Sequence, residues 1–112
     1  MSNETELNEI ELSLEAAKAR VDLAKSLAKL KKNADFKKLF LNKYLNSYAV
    51  RLVLLKASMG MQAEEQQLNI VNQLNGIGQM NQYMMYVEQE GRMAEKAISD
   101  FEEDRATILE EG

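Results

Sequence analysis

From Asn3 to Lys32, apolar residues return at alternating steps of three and four: Leu7, Ile10, Leu14, Ala17, Val21, Ala24 and Ala28. This is the seam of a heptad, and a helix carrying it stays soluble only by laying the seam against another helix. Leu23, Leu27 and Leu30 widen the stripe toward its C-terminal end, a sign of packing against more than one neighbour. No proline interrupts any of the 112 residues. Leu, Ala, Glu, Lys, Gln and Met, which are good helix formers, dominate the rest. The seam therefore predicts an all-α chain.

Further along, the punctuation divides the helical pattern. Asn33-Ala34-Asp35 reads as a break, with Asp35 as N-cap of a short helix over about 35–45, lined by Phe36, Leu39, Phe40 and Tyr44. Asn46-Ser47 reads as a second break, with Ser47 capping a helix over about 47–57. Its run Val50-Arg51-Leu52-Val53-Leu54-Leu55 is apolar nearly all round, which predicts a buried central helix. Ser58-Met59-Gly60 closes it, and Gly60 suits the left-handed position after a helix end. From about 62 to 109 a second seam runs through Ile70, Leu74, Ile77, Met80, Met84, Val87, Gly91, Ala94, Ile98, Phe101 and Ile108.

Unbroken, that last helix would be roughly 70 Å long, against a radius of gyration of about 13 Å for a globule of this length. It must break near Gly76 to Gly78 or find a partner along its length. The expected architecture is one domain over 1–112. Coiled-coil-like long helices make a helical hairpin or small bundle, joined by two short middle helices.

Absent residue types exclude whole classes of chemistry. Without Cys there is no disulfide framework, thiolate nucleophile or usual structural zinc site. Without His, the commonest general base and transition-metal ligand are missing. Glu4, Glu6 and Glu9 with no early basic residue predict no secretory leader. No apolar run approaches the roughly 20 residues that span a bilayer. The glycosylation sequon Asn3-Glu4-Thr5 is then a chance match, and an intracellular, soluble, non-enzymatic protein is expected.

Charge is sorted along the chain. Residues 1–15 hold five acidic groups and no basic one, while residues 16–58 hold eleven Lys or Arg against Asp22 and Asp35. Residues 59–112 hold eleven Asp or Glu against Arg92, Lys96 and Arg105, and the chain sums to −4. A merely solvated surface would intersperse its signs. Here the basic middle and acidic tail can satisfy each other, within one chain or between neighbours.

Five stretches invite a functional reading. Gly76-Ile77-Gly78 lacks the preceding strand and third glycine of a phosphate loop, and reads better as a flexible point or close helix contact. Asp100, Glu103 and Asp104 share a helical face, which reads as a solvated acidic surface or one paired with another chain's lysines, because no calcium-loop spacing accompanies it. Lys29, Lys31, Lys32, Lys37, Lys38 and Lys43, interleaved with Phe36, Phe40 and Tyr44, resemble a single-strand nucleic-acid binder. The acidic chain makes an acidic subunit surface the better partner for them. Met80, Met84, Met85 and Met93 with Tyr83 and Tyr86 offer an adaptable apolar stripe, or simply a core seam into which Val87 falls. Gln and Asn crowd 62–82, and Asn81 occupies a seam position where it would fix register. No residue set identifies a catalytic, cofactor or metal site.

Phe36-Lys37-Lys38-Leu39-Phe40 leading into Ala49-Val50-Arg51-Leu52-Val53-Leu54-Leu55-Lys56, then Gly91-Arg92-Met93-Ala94-Glu95-Lys96-Ala97-Ile98, resembles small all-helical proteins of tailed bacteriophages. The resemblance covers about half of the chain and carries no functional residues. It implies a virion or virion-assembly subunit, bound to itself and to other phage proteins, in the particle or the infected cell's cytoplasm. It equally allows a small inhibitor of a host protein, with the acidic helix as a nucleic-acid mimic.

Overall fold

The computed structural model describes residues 3–111, all but a few of them helical and none in a strand. Helix α1 spans Asn3–Lys32, with Glu4 and Glu6 in its first turn and Lys29, Lys31 and Lys32 in its last. Both charge placements favour the helix dipole. Asn33 alone breaks it. Its backbone is extended (φ −69°, ψ 129°), and its Oδ1 accepts from the Phe36 amide at 2.9 Å, capping α2 (Ala34–Phe36). The cap is thus Asn33 and not Asp35: the break is one residue long, so the residue entering the next helix is Asn33 itself.

No second break occurs at Asn46-Ser47. The chain is helical from Ala34 to Ala57, passing through a π-helix over Lys37–Ser47 into α3 (Tyr48–Ala57). Ser47 keeps helical angles (φ −63°, ψ −35°) and caps nothing. Its hydroxyl instead donates to the Asn42 carbonyl five residues back at 3.2 Å, and the Tyr48 amide likewise reaches Lys43. Hydroxyl back-bonding of this kind competes with the α ladder and loosens its winding.

Ser58 ends α3 by going extended (φ −70°, ψ 137°), and a single 3₁₀ turn, Met59–Met61, leads toward α4. Among the described residues no glycine takes a positive φ. Gly60 is therefore not a left-handed cap, since Ser58 has already reversed the chain. Glutamines fasten the corner. Gln62 Nε2 donates to the Lys56 and Ser58 carbonyls at 2.9 and 2.7 Å. Gln67 Nε2 donates to those of Lys56 and Met61 at 2.9 and 2.7 Å. These bonds occupy carbonyls that a helix end otherwise leaves unpaired.

Helix α4 then runs unbroken over Glu64–Glu111, 48 residues, through Gly76, Gly78 and Gly91. Glycine in a helix costs only about 1 kcal/mol relative to alanine, too little to open a ladder bonded on both sides.

The chain divides into two compact units. Unit 1 comprises residues 3–27 of α1 and 86–111 of α4, packed antiparallel. Ala17, Val21 and Ala94 form its core with Ile98 against them. At Gly91 the helices approach so closely that an added Cβ would collide with the Ala24 Cβ. Glycine is required at this crossing, because only a missing side chain admits that approach. Unit 2, residues 28–85, is built on Leu52, Ile70 and Ile77, with Tyr44, Leu45, Ala49, Leu55, Met61 and Leu74 packed around them. Gly76 faces Tyr44, whose hydroxyl would sit 3.8 Å from an added Cβ.

Both seams face inward wherever they are fully buried, at Leu14, Ala17, Val21, Ile70, Ile77, Met84, Val87, Gly91 and Ala94. Helix α3 departs from expectation. Leu52 is buried, but Val50, Val53 and Leu54 are 53%, 56% and 66% exposed. α3 packs one face on the Ile70 and Ile77 row, and its opposite apolar face is more than half exposed. No helix of the described residues is long and apolar enough to cross a membrane.

Candidate interaction surface

Partition into units redistributes the sorted charge. Unit 1 holds fifteen acidic and six basic side chains, a formal −9, and unit 2 holds three acidic and eight basic, a formal +5. Within unit 1 the acidic start of α1 lies beside the acidic end of α4. Glu6, Glu9 and Asp104 line one groove together with Ile10, Phe101 and Ile108. The acidic tail therefore meets more acid within its own unit. Asp100, Glu103 and Asp104 are all exposed. Among the described residues, no three carboxylates gather as a metal site would need.

The basic patch belongs to unit 2. Lys29, Lys32, Lys37, Lys38 and Lys43 are exposed, and Lys31 is half-buried. The aromatic residues beside them form a column at every fourth position. Phe36 stacks on Phe40 at 5.3 Å between centroids, Phe40 meets Tyr44 edge-on at 6.3 Å, and Tyr44 stacks on Tyr48 at 6.2 Å. Each such contact contributes about 0.5–1.5 kcal/mol beyond burial. Tyr48 ends the column by donating its hydroxyl to Gln73 Oε1 at 2.6 Å. The rings thus occupy one another, although Phe40 keeps 39% of its surface exposed.

The methionine stripe divides. Met84 and Val87 are buried and Met80 is half-buried, so these three serve the fold, while Tyr83, Met85, Tyr86 and Met93 are exposed. Asn81 is not a seam residue. It is exposed and donates to the Met85 sulfur at 3.7 Å. Several glutamines hold the α3–α4 corner described above, a role hidden in the sequence because its geometry depends on the turn.

On α1 the structure corrects one expectation: Leu23 and Leu30 do not widen the inner stripe but belong to a second row on the other side of the helix. Leu12, Ala16, Ala19, Leu23, Ser26 and Leu30 are all exposed, the three leucines at 66%, 57% and 45%. Their steps of four, three, four, three and four make a second heptad seam. It occupies the side of α1 opposite the buried Leu14-Ala17-Val21 row. The alternating steps were the available signal. Alanine and serine at half the positions masked it.

No protein-family model, curated protein or solved structure matches this chain.

Proposed function

We propose that this chain is a non-enzymatic structural or adaptor protein that works by helical self-association and charge-complementary contacts with its partners. One observation carries the reading. Among the described residues the fold buries nine hydrophobic side chains and leaves sixteen large ones exposed, several in ordered rows on α1 and α3. Exposed apolar rows of this extent mark interaction surfaces, since water penalises each of them. The opposite charges of the two units support it, because a copy's −9 unit finds a +5 surface on its neighbour.

A virion or virion-assembly subunit is the setting that the phage resemblance suggests. It predicts that the tagged chain co-sediments with particles from an infected culture. Failure to co-sediment would remove the virion setting and leave self-association standing. Solution mass by light scattering tests self-association directly, and a monomer at every concentration and salt would overturn it.

The net +5 of unit 2 favours one second reading, single-strand nucleic-acid binding along Lys29–Lys43. Its signature is an affinity for an oligonucleotide that falls steeply with salt. Failure to bind at 50 mM salt would remove it.

A further inference from the structure

We propose that the outer seam of α1, Leu12-Ala16-Ala19-Leu23-Ser26-Leu30, seats the α1 of a second copy of this chain in antiparallel orientation. The inference rests on the self-association reading above and names the surface and the partner.

The seam is regular. Six exposed positions at heptad steps run along one face of a single helix, with Leu and small residues mixed. Small residues mixed among the leucines let two such helices approach closely and interdigitate. An antiparallel pair with its two-fold axis between Ala19 and Leu23 lays Leu23 on the second copy's Ala19 and Ala16 on its Ser26. Leu12 then meets the second copy's Leu30.

Charge selects both occupant and direction. Helix α1 begins with Glu4, Glu6, Glu9, Glu11 and Glu15 and ends with Lys25, Lys29, Lys31 and Lys32. A parallel pair would set five acids against five acids, at the end where unit 1 already adds Asp100, Glu102, Glu103 and Asp104 from α4. An antiparallel pair sets the acidic start of each copy along the basic end of the other, with Glu15 flanking the second copy's Lys29. Like charges meet only near the axis, Asp22 with its counterpart and Arg20 with its counterpart. All four groups stay exposed, where screening keeps the penalty small. The helix is complementary to itself reversed, as an isologous two-fold interface requires.

Two experiments on the full chain test this. Light-scattering chromatography compares the wild type with Leu23→Glu and with Leu68→Glu, at an exposed position of α4 outside the rows on α1 and α3. Both sites are already more than half exposed, so folding is unaffected, and circular dichroism checks it. Leu23→Glu removes two leucines from the pair, so the dissociation constant should rise about a hundredfold, while Leu68→Glu leaves it unchanged. An oligomeric wild type whose mass survives Leu23→Glu overturns the seam and spares self-association. A monomeric wild type overturns both.

The second experiment uses the absence of cysteine in the chain. Leu12→Cys and Leu30→Cys proteins, oxidised separately, should give little covalent dimer, and mixed they should give the disulfide-linked pair. Efficient homodimers of each protein alone would overturn the antiparallel direction.

Discussion

Gly91→Ala adds a single methyl group to the close contact between Gly91 and Ala24 in unit 1. Its Cβ would lie 2.4 Å from the Ala24 Cβ, with the Arg20 carbonyl at 3.7 Å. Carbon atoms settle at about 3.5–4.0 Å, so the helices must part locally by about 1 Å. Ala24 has no torsion that moves its Cβ aside, and the strain passes to the closely packed Ala17, Val21 and Ala94. Overpacking of this kind costs about 1–3 kcal/mol. Replacing helical glycine returns only about 1 kcal/mol. Because the Ala24 Cβ cannot swing aside, the cost falls in the upper part of that range, about 2–3 kcal/mol, and the net effect is a loss of about 1–2 kcal/mol.

Gly78→Ala supplies the internal control. It makes the same chemical change in the same helix where an added Cβ meets nothing within 4 Å, and it should stabilise by about 0.5–1 kcal/mol. Urea unfolding followed by circular dichroism, at one fixed protein concentration, should show the two midpoints moving in opposite directions. The two shifts should together separate the midpoints by about 1–2 M. Combining Ala24→Gly with Gly91→Ala removes the clash, and the pair should show a coupling of at least about 1 kcal/mol. A Gly91→Ala midpoint at or above the wild type's, or no coupling, would refute the close crossing.

Other substitutions probe the remaining elements. Leu52→Ala should cost about 2–5 kcal/mol of unfolding free energy. Val53→Ala, at the neighbouring exposed position, should stay within about 0.5 kcal/mol, and equal effects would contradict the one-sided packing of α3. Asn33→Ala should cost about 1 kcal/mol by losing the cap on the Phe36 amide, whereas Asp35→Ala should be near neutral; a larger loss at Asp35 would contradict the capping geometry. Gln67→Ala removes two side-chain bonds from the α3–α4 corner and should cost about 1–2 kcal/mol. Amide hydrogen exchange near Met61 should quicken with it, and unchanged exchange would contradict the corner's dependence on Gln67.

The long helices were legible because a seam at steps of three and four has only one helical interpretation. Their inward rows, Leu14-Ala17-Val21 and Ile70 through Ala94, stand where the steps put them. The steps do not say which of two apolar faces the chain covers by itself. Val50, Val53 and Leu54 read as core because hydropathy is the same for a core and for an interface. Met84 and Val87 carried both readings, an adaptable surface and a core seam, for the same reason, and they lie inside. Leu23 and Leu30 read as a widening of the inner row because Ala16, Ala19 and Ser26 between them carry little hydropathy, although the outer row is spaced as regularly as the inner one. Ser47 and Asp35 are cap-forming types. Whether such a residue caps depends on whether the backbone breaks beside it, and neither neighbourhood holds a glycine or proline to force that break.

Of all these measurements, the solution mass of the full chain by light-scattering chromatography, at about 50 mM and 500 mM salt, bears most directly on the assembly claim. Self-association through the sorted charges should give a defined oligomer at low salt whose mass falls at high salt, as screened charges release one copy from another. A monomer at both salts would contradict it.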